Sequence, residues 1–477
     1  MSGREILRVL LGSWSGRTGV LFLAVLVFVS LAVVIVLPLN FGSQRWNNPA
    51  EWADNPKAAA PGWTTLWPGN DAASHRIFDS SIPREITQVG PSQQRTYAFD
   101  LDYDGGALPT FMSFALSDVR FASQPPQISV EVLRPDGRSI QLYRDVVRGP
   151  RPGEQPPYAR HFDEPLRINL SGSRETLESA ARFLGREFDV QSTAKELAGK
   201  AEQVVFGTPT SANLDGFTPL AGRYRFEVQV LAASPGDTIG GVKLVLAGTT
   251  FGFMGTDATG RDLALGLLFG FPVALTIGLV TSLLVTTIGT FMGIVSGFLG
   301  GKTDLGIQRF SDIWSNIPLL PVLIFLIFVL GQRLWLVVVI MILFGWPGLA
   351  IVVRSMVLQI RSGQLVEATR ALGASRLRIM FRHILFQIAP FVFAQMIFFT
   401  PAAILAEAGL SFLGLGDPSI PTWGQILESG FRTSAVYLGY WWWILPPGIL
   451  IVITAMTFVL LTLGLEPVIN PRLRRAR

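Results

Sequence analysis

Stretches of mostly apolar residues frame one long polar block in this chain. The first stretch, Gly19–Leu39, has 21 residues, which is enough for a helix to cross a hydrocarbon layer of roughly 30 Å. Five more follow the polar block: Pro272–Leu299, Ile307–Leu330, Leu334–Val357, Ile388–Phe412 and Leu438–Leu465. The pattern predicts an α-helical polytopic membrane protein with six transmembrane helices.

The first stretch has an alternative interpretation as a cleaved signal peptide. Its apolar run is longer than the usual core of such a peptide, and no Ala-x-Ala-like cleavage site follows it, since the chain continues VLPLNFG. We therefore predict an uncleaved anchor, with residues 1–41 forming a cytoplasmic tail and the first transmembrane helix.

Basic residues are unevenly distributed between the two ends of these stretches. If the N-terminus is cytoplasmic, fifteen Lys and Arg residues lie on the cytoplasmic side, and only Arg261, Arg333 and Arg432 lie at or near the other face. Cytoplasmic flanks of membrane proteins carry such an excess, whereas long loops cross regardless of charge. We expect a multi-pass protein of the cytoplasmic membrane, with both termini in the cytoplasm and residues 42–250 outside.

The charge balance supports the same division. Residues 42–250 carry 21 basic and 24 acidic residues, so the net charge of +5 for the whole chain arises from its apolar part. Basic residues at membrane edges do not indicate nucleic-acid binding. The chain has no cysteine, which excludes disulfides, a thiolate nucleophile and Cys-type zinc sites.

The polar block, residues 42–250, has features of a β-rich domain. Ile128–Arg134 and Arg138–Arg144 alternate about a Pro-Asp-Gly turn, which predicts a hairpin. Two further strands and two helices are predicted at Arg223–Leu231, Gly241–Ala247, Arg174–Phe188 and Thr193–Val205. We predict an extracytoplasmic β-sandwich-like domain with a helical insertion, and expect His75 and His161 to be solvated surface residues.

A segment that resembles a nucleotide-binding loop lies after the second apolar stretch. Gly297–Thr303 reads GFLGGKT, but a P-loop needs four residues between its first glycine and the Gly-Lys-Thr, and here there are too few. We also find no Ser/His/Asp, paired-carboxylate or His-rich metal constellation. The sequence therefore predicts no catalytic residue, cofactor or metal in this chain, which we expect not to be an enzyme.

An Arg-studded block, Leu365–Pro390, interrupts the apolar part on the predicted cytoplasmic side. Gln364–Leu372 is rich in helix formers, with Leu365, Ala368 and Leu372 on one face, and Gly373 permits a turn after it. A second helix is predicted beyond the turn, with a stripe formed by Leu377, Met380, Phe381 and Ile384. Pro390 is expected near the start of the next span. An amphipathic linker on the bilayer surface would explain most of this pattern too.

Four ordered motifs bring out a family resemblance. Glu367–Gly373 (EATRALG), followed by Phe381–Leu385, resembles the cytoplasmic EAA loop of bacterial ABC importer permeases of the dipeptide/oligopeptide group. Gly255–Asp262 (GTDATGRD) is similar to that group's segment before the second span. Leu410–Gly416 with Pro421–Gly424 resembles its loop after the fifth span, and Asn470–Leu473 its Asp-Pro-Arg ending. The resemblance covers about residues 250–473 and the first span.

The resemblance implies the type I ABC importer permease fold, with residues 251–477 as the transmembrane domain. It also implies a second permease subunit, two ATP-binding subunits that hydrolyse ATP, and an extracytoplasmic binding protein. The cargo would be di- or oligopeptides, although sister systems carry nickel or oligosaccharides. Loop 360–387 would be the coupling loop, which docks on the ATPase through Glu367, Ala368, Ala371, Gly373, Arg376 and Arg382.

Some features depart from the family pattern. Thr369 replaces the third Ala of the motif, and Phe386 stands where the family usually has Pro. The external block is larger than such permeases normally carry, so a membrane-anchored receptor acting through it is an alternative. We expect the block to help seat the binding protein.

Polar and aromatic residues elsewhere in the apolar part carry further predictions. Glu407, within the fifth predicted span, is a pathway or gate candidate because an ionisable group there is costly unless it faces a polar cavity or partner; it could also snorkel to the membrane surface. Trp423 is a second candidate of this kind. Asp257 is expected to cap a short interfacial helix. Pairing of Asp304, Arg309 and Asp312, and an aromatic belt at Trp441–Trp443, are structural expectations.

Overall fold

The computed structural model of this protein describes residues 3–469 except for residues 70, 212, 213 and 215. The chain forms two compact units, a helical unit made of residues 1–49 and 263–477 and a β-rich unit made of Ala50–Asp262. The sequence analysis predicts both domain boundaries earlier in the chain, between residues 41 and 42 and between residues 250 and 251. Residues 50–62 and 249–262 belong to the β-rich unit because they hydrogen-bond to each other, as described below.

The helices of the described residues, in chain order, are α1 (Gly3–Gly12), α2 (Trp14–Val36), α3 (Arg174–Phe188), α4 (Ala201–Phe206), α5 (Leu263–Leu299), α6 (Gly301–Asn316), α7 (Leu319–Leu330), α8 (Leu334–Arg361), α9 (Gln364–Ala371), α10 (Arg376–Arg378), α11 (Leu385–Phe412), α12 (Trp423–Arg432) and α13 (Trp441–Ile469). A π-helical segment, Ile379–Ile384, joins α10 to α11 without a break. Short 3₁₀ and π turns lie at Gly42–Trp46, Pro49–Trp52 and Gly62–Leu66.

Five helical segments in this part of the chain are long and apolar enough to cross a membrane. They are α2, α5, α8, the continuous Arg376–Phe412 and α13, and each overlaps one of the predicted stretches. Helix α2 ends at Val36, before the predicted Leu39, and α13 begins at Trp441, after the predicted Leu438. The third predicted span, Ile307–Leu330, is instead a bent pair, because α6 and α7 meet at an angle of 76°. Ile317 precedes Pro318 and has extended backbone angles, as the steric restriction on a residue before proline requires.

Helices α5 and α8 pack closely along three glycines spaced four residues apart. A Cβ added to Gly289, Gly293 or Gly297 would lie within 3.0 Å of α8 atoms. For Gly293 the nearest would be the Val353 Cβ at 2.6 Å, and for Gly297 the Val357 Cβ at 2.8 Å. Glycine at this spacing allows two membrane helices to approach until their backbones nearly touch. Gly297, the first glycine of the false nucleotide-binding motif, therefore has a packing role.

The strands of the β-rich unit are β1 (Arg76–Ser80), β2 (Glu85–Val89), β3 (Ser92–Tyr103), β4 (Phe111–Ser117), β5 (Val119–Phe121), β6 (Gln127–Leu133), β7 (Ser139–Val146), β8 (Tyr158–Arg160), β9 (Leu166–Asn169), β10 (Gly207–Pro209), β11 (Phe217–Pro219), β12 (Gly222–Ala232) and β13 (Gly241–Ala247). They form a four-stranded sheet of order β1-β13-β4-β9, a five-stranded sheet of order β2-β3-β12-β6-β7, and the pairs β10-β11 and β5-β8. All pairings are antiparallel.

The alternating pattern of these strands places one face of each main sheet in a shared core. Phe226 and Val228 of β12 and Phe114 and Leu116 of β4 are fully buried there. The predicted hairpin is present as β6–β7, with a bulge between Val130 and Glu131. The expected strands at 223–231 and 241–247 are present as β12 and β13.

The two helices predicted in this unit differ in outcome. Arg174–Phe188 is helical over the whole predicted range. Of the predicted Thr193–Val205, only the part from Ala201 onward is an α-helix, α4, and the residues before it form turns. Gly199 has φ +77°, a left-handed conformation that breaks a right-handed helix at that point.

Candidate functional site

The segment between α8 and α11 contains the turn that the sequence predicts. Helix α9 ends at Ala371, and the amide groups of Gly373 and Ala374 donate to the carbonyls of Arg370 and Thr369. Gly373 has φ +80°, a conformation that glycine adopts without steric cost. The turn ends α9, and α10 begins shortly after it at Arg376.

The helix after the turn is longer than predicted. Ser375 caps it by accepting a hydrogen bond from the Arg378 backbone amide, and the helix continues to Phe412. Pro390 lies 14 residues after Arg376 and not near the start of a span, so that expectation is wrong. The π-helical segment Ile379–Ile384 precedes the proline, and such segments keep a helix continuous through a local change of pitch.

One side of this segment is packed into the helical unit. Val366 of α9 and Ile379, Met380 and Ile384 of the π-helical segment are buried. They form one apolar cluster, with Ile294 and Phe298 of α5 and Leu349, Val353 and Val357 of α8 among its other members. The loop is therefore seated on both α5 and α8.

The other side of α9 is exposed. Its predicted face contains Leu365 at 52% and Leu372 at 88% relative exposure, with Ala368 exposed between them. The predicted coupling residues are all exposed as well, namely Glu367, Ala368, Ala371, Gly373, Arg376 and Arg382. The loop thus presents a surface of leucine, alanine and glycine with charged residues around it. We define Leu365, Ala368, Ala371 and Leu372 as the α9 face.

An ion pair fixes α6 to α8 close to the same cluster. The Arg354 guanidinium donates to both Asp304 carboxylate oxygens, at 2.5 and 2.6 Å, and the Ser296 hydroxyl donates to the same carboxylate at 2.5 Å. Asp304 thus pairs across helices, and not with Arg309 along its own helix as the sequence suggested. The spacing of charges within α6 gives no information about a partner 50 residues away.

Glu407 lies inside the helical unit. Its side chain is only 3% exposed, so it does not snorkel to a surface. The Ser411 hydroxyl, one turn further along α11, donates to its carboxylate at 2.6 Å. The second candidate, Trp423, is also 3% exposed; its indole N–H donates to the Leu267 carbonyl at 2.9 Å, and its ring lies against Gly270 of α5. These contacts attach α12 to α5.

Two smaller expectations need correction. Asp257 closes the loop Asp257–Arg261 by accepting hydrogen bonds from the Thr259 and Arg261 amides. The next helix, α5, begins only at Leu263, so Asp257 does not cap it. Trp442 and Trp443 are buried, with the Trp443 indole donating to Ile426, so they do not form a surface belt.

Of the two histidines in the β-rich unit, His75 differs from the expected solvated surface residue. Both of its ring nitrogens are buried without a hydrogen-bond partner. This burial lowers the pKa of His75 below its usual value, an effect that the nearby Asp54 carboxylate opposes. The motif Asn470–Leu473 lies outside the described residues.

Comparisons with known proteins agree with the motifs. Residues 289–475 match the family described as "Binding-protein-dependent transport system inner membrane component". The dipeptide transport system permease protein DppC of Bacillus subtilis is 34% identical over 224 residues, which cover 47% of this chain and 69% of that protein. The oligopeptide transport system permease protein OppC of Haemophilus influenzae is 33% identical over 221 residues, covering 46% and 70%. 

Among solved structures, one of the MetNI methionine ABC transporter in an inward-facing conformation shares 21% identity and a TM-score of 0.36, over 44% of this chain and 97% of that chain. The relatives above carry the assignment, because each is about one third identical over more than two thirds of its own length. The chain therefore belongs to the family of binding-protein-dependent transport system inner membrane components.

Proposed function

We propose that this protein is the permease subunit of an ABC importer that carries di- or oligopeptides across the cytoplasmic membrane. Membership of the family supports the transport role, and the names of the two relatives, a dipeptide and an oligopeptide permease, support the cargo. ATP would be hydrolysed by two separate subunits, and a second, related permease subunit would complete the pathway. The positive excess at one membrane side supports cytoplasmic termini and an external β-rich unit.

The exposed α9 face is the observation that carries this proposal. Leucine side chains that are 52% and 88% exposed beside small alanines form a surface on which a partner can approach closely. On the opposite side of α9, Val366 is buried in an apolar cluster that includes residues of α5 and α8. A partner that binds the α9 face and moves would therefore act on two membrane helices through this cluster.

A second connection leads from the turn into the membrane. The continuous helix Arg376–Phe412 has 37 residues, which at 1.5 Å per residue is about 55 Å. No loop separates the turn at Gly373 from the membrane part of this helix. Displacement of the turn would thus be passed along a continuous helical backbone towards the membrane part.

Site-specific cross-linking tests the docking role. Because the chain has no native cysteine, an introduced cysteine is the only thiol in this subunit that can react. Ala371→Cys in the assembled transporter should cross-link to an ATPase subunit carrying a cysteine in its permease-facing groove, whereas Ala122→Cys, an exposed alanine of the β-rich unit, should not. The same two variants test orientation. A membrane-impermeant thiol reagent added to intact cells should label Ala122→Cys only, and labelling of Ala371→Cys would refute both the orientation and the docking role.

Glu407 and Trp423 stay proposals for pathway or gate residues. Glu407→Gln keeps the shape of the side chain and its contact with Ser411, so the complex should assemble normally while transport changes. Ser411→Ala is the matched control for loss of the hydrogen bond alone. Normal uptake by Glu407→Gln would remove Glu407 from the pathway. Trp423→Phe would retain an aromatic ring but lose the hydrogen bond to the Leu267 carbonyl. We expect this variant to lower the stability of the protein more than it lowers transport.

The cargo and the role of the β-rich unit need separate tests. Mass spectrometry of ligands bound to the cognate binding protein should find short peptides. Finding nickel or an oligosaccharide would reject the peptide cargo but not the transport role.

We propose that the β-rich unit helps to seat the binding protein. Excision of residues 62–248, with a short linker in their place, should weaken capture of the loaded binding protein, and unchanged uptake kinetics would reject this role.

A further inference from the structure

An exposed apolar cluster lies on the β-rich unit beside the two segments through which the chain enters and leaves it. It consists of Trp63, Leu66, Trp67 and Phe253, which we call the aromatic cluster. Leu66 is 82% exposed, Phe253 72% and Trp67 50%, whereas Trp63 is half-buried. The Trp63 ring lies 5.5 Å from the Trp67 ring at 79°, and its indole N–H donates to the Phe253 carbonyl at 2.8 Å.

The backbone beneath the aromatic cluster holds it in place. The Gly62 amide donates to the Gly252 carbonyl, and the Phe251 amide to the Ala60 carbonyl, both at 2.8 Å. The Ala60 amide in turn donates to the Thr249 carbonyl at 3.1 Å. The two segments are thus joined along their length, and the cluster is a preformed surface that loses little conformational freedom when something covers it.

The composition of the aromatic cluster favours a lipid surface over a soluble partner. Residues 62–68 (GWTTLWP) and 251–254 (FGFM) contain no charged residue, although the rims of protein interfaces are typically polar and charged. Tryptophan, with an apolar ring and one N–H group, is enriched at the boundary between lipid headgroups and acyl chains. Leucine and phenylalanine beside it are the usual apolar partners in such interfacial anchors.

Few residues separate the aromatic cluster from a membrane helix along the chain. Phe253 precedes Leu263, the first residue of α5, by ten residues. Ten residues span at most roughly 35 Å when fully extended, and here the loop closed by Asp257 and the bridge between Thr256 and Asp262 shorten this path. Since α5 is apolar from its first turn, this short path along the chain supports a bilayer surface as the occupant of the cluster.

We propose that the aromatic cluster inserts into the headgroup–acyl boundary of the adjacent leaflet and fixes the β-rich unit against the membrane. The inference goes beyond the transport function and does not depend on the cargo. It gives the β-rich unit a second attachment besides its two chain connections, so that the unit would be held in one orientation relative to the bilayer.

Fluorescence quenching in lipid nanodiscs tests this inference with the full chain. Leu66→Cys would carry an environment-sensitive thiol label, which is the only label because the chain has no cysteine. Leu133→Cys is the matched control, a leucine of β6 that is 41% exposed on the same unit. Lipids with nitroxide groups on their acyl chains should quench the label at position 66 at least threefold more than at position 133, and aqueous iodide should show the reverse order.

Two results would overturn the inference. Equal quenching by iodide at both positions would show that the aromatic cluster faces water. Protection of position 66 from iodide without quenching by the lipid nitroxides would show that a protein surface covers the cluster instead. Phe253→Cys provides a second label site, and a thermal unfolding curve like that of the parent protein confirms that each variant is folded.

Discussion

A single added methyl group at Gly293 should separate α5 from α8. The Cβ of Gly293→Ala would lie 2.6 Å from the Val353 Cβ and 2.8 Å from the Ala350 carbonyl oxygen. Carbon atoms in ordinary contact are about 3.5–4.0 Å apart, so the two helices must move apart by about 1 Å. The neighbours are a Cβ and a backbone atom, which cannot turn away as a flexible side-chain end could.

The size of the effect follows from two opposing contributions. Overpacking of a well-packed interior costs about 1–3 kcal/mol, whereas replacing a helical glycine by alanine gains about 1 kcal/mol of helix propensity. Gly348→Ala separates the two, because Gly348 lies within α8 and a Cβ there has nothing within 4 Å. Gly348→Ala should be neutral or stabilising, and the difference between the two variants should be about 1–3 kcal/mol in the free energy of unfolding.

The assay is unfolding of the purified protein in nanodiscs, followed by intrinsic fluorescence during heating, for both variants side by side. Gly293→Ala should unfold at a lower temperature than Gly348→Ala, and Gly293→Leu at a lower temperature still. If Gly293→Ala and Gly348→Ala were equally stable, the close approach of α5 and α8 would not limit the size of residue 293, and the packing argument would be wrong.

Three further predictions concern ion pairs and the turn. Asp304→Asn should destabilise the helical unit by about 1.5–3 kcal/mol, because a charge-assisted hydrogen-bond pair is lost. Adding Arg354→Gln to this variant should lower the free energy of unfolding little further. If denaturant unfolding showed that the losses of the two single variants add up, the pairing would be contradicted. Asp100→Asn should lower the apparent Tm at pH 7, because hydrogen bonding by Arg225 lowers the pKa of Asp100 to about 2 from 3.8. Since the folded pKa is the lower one, this stabilisation should be present above pH 3.8 and disappear as the pH falls towards about 2, and a Tm gap that stays constant over this range would refute it. Gly373→Val should reduce ATP-driven uptake more than Gly373→Asn, because asparagine tolerates a φ of +80° better than a β-branched residue; equal uptake by the two would show that the turn conformation is not needed.

The sequence predicted the elements whose signal is local. Strand alternation located β6, β7, β12 and β13, and apolar length located five of the spans. The Gly373 turn was also predictable, because glycine after an amphipathic helix favours a left-handed residue. The family motifs predicted the loop residues by resemblance.

The sequence did not predict features that depend on contacts between residues far apart in the chain. Periodicity identified Leu365 and Leu372 as an apolar face but could not reveal that Val366, on another side of α9, is buried in one cluster with residues of α5 and α8. The break at Pro318 required the rule that a residue before proline avoids helical angles, which the apolar run concealed. The spacing Gly289-x-x-x-Gly293-x-x-x-Gly297 indicates close helix packing. The sequence prediction did not include this packing and interpreted only Gly297, as part of the false nucleotide-binding motif.

The joined segments beneath the β-rich unit have a consequence for how this permease could vary. The backbones of Ala60 and Thr249 are in direct contact, so nearly two hundred residues begin and end at almost the same point. A hairpin of two or three residues could close that gap without changing the spacing between Ala60 and Thr249. A shortened version of the protein, with such a hairpin in place of the β-rich unit, should therefore fold and insert with the same set of helices.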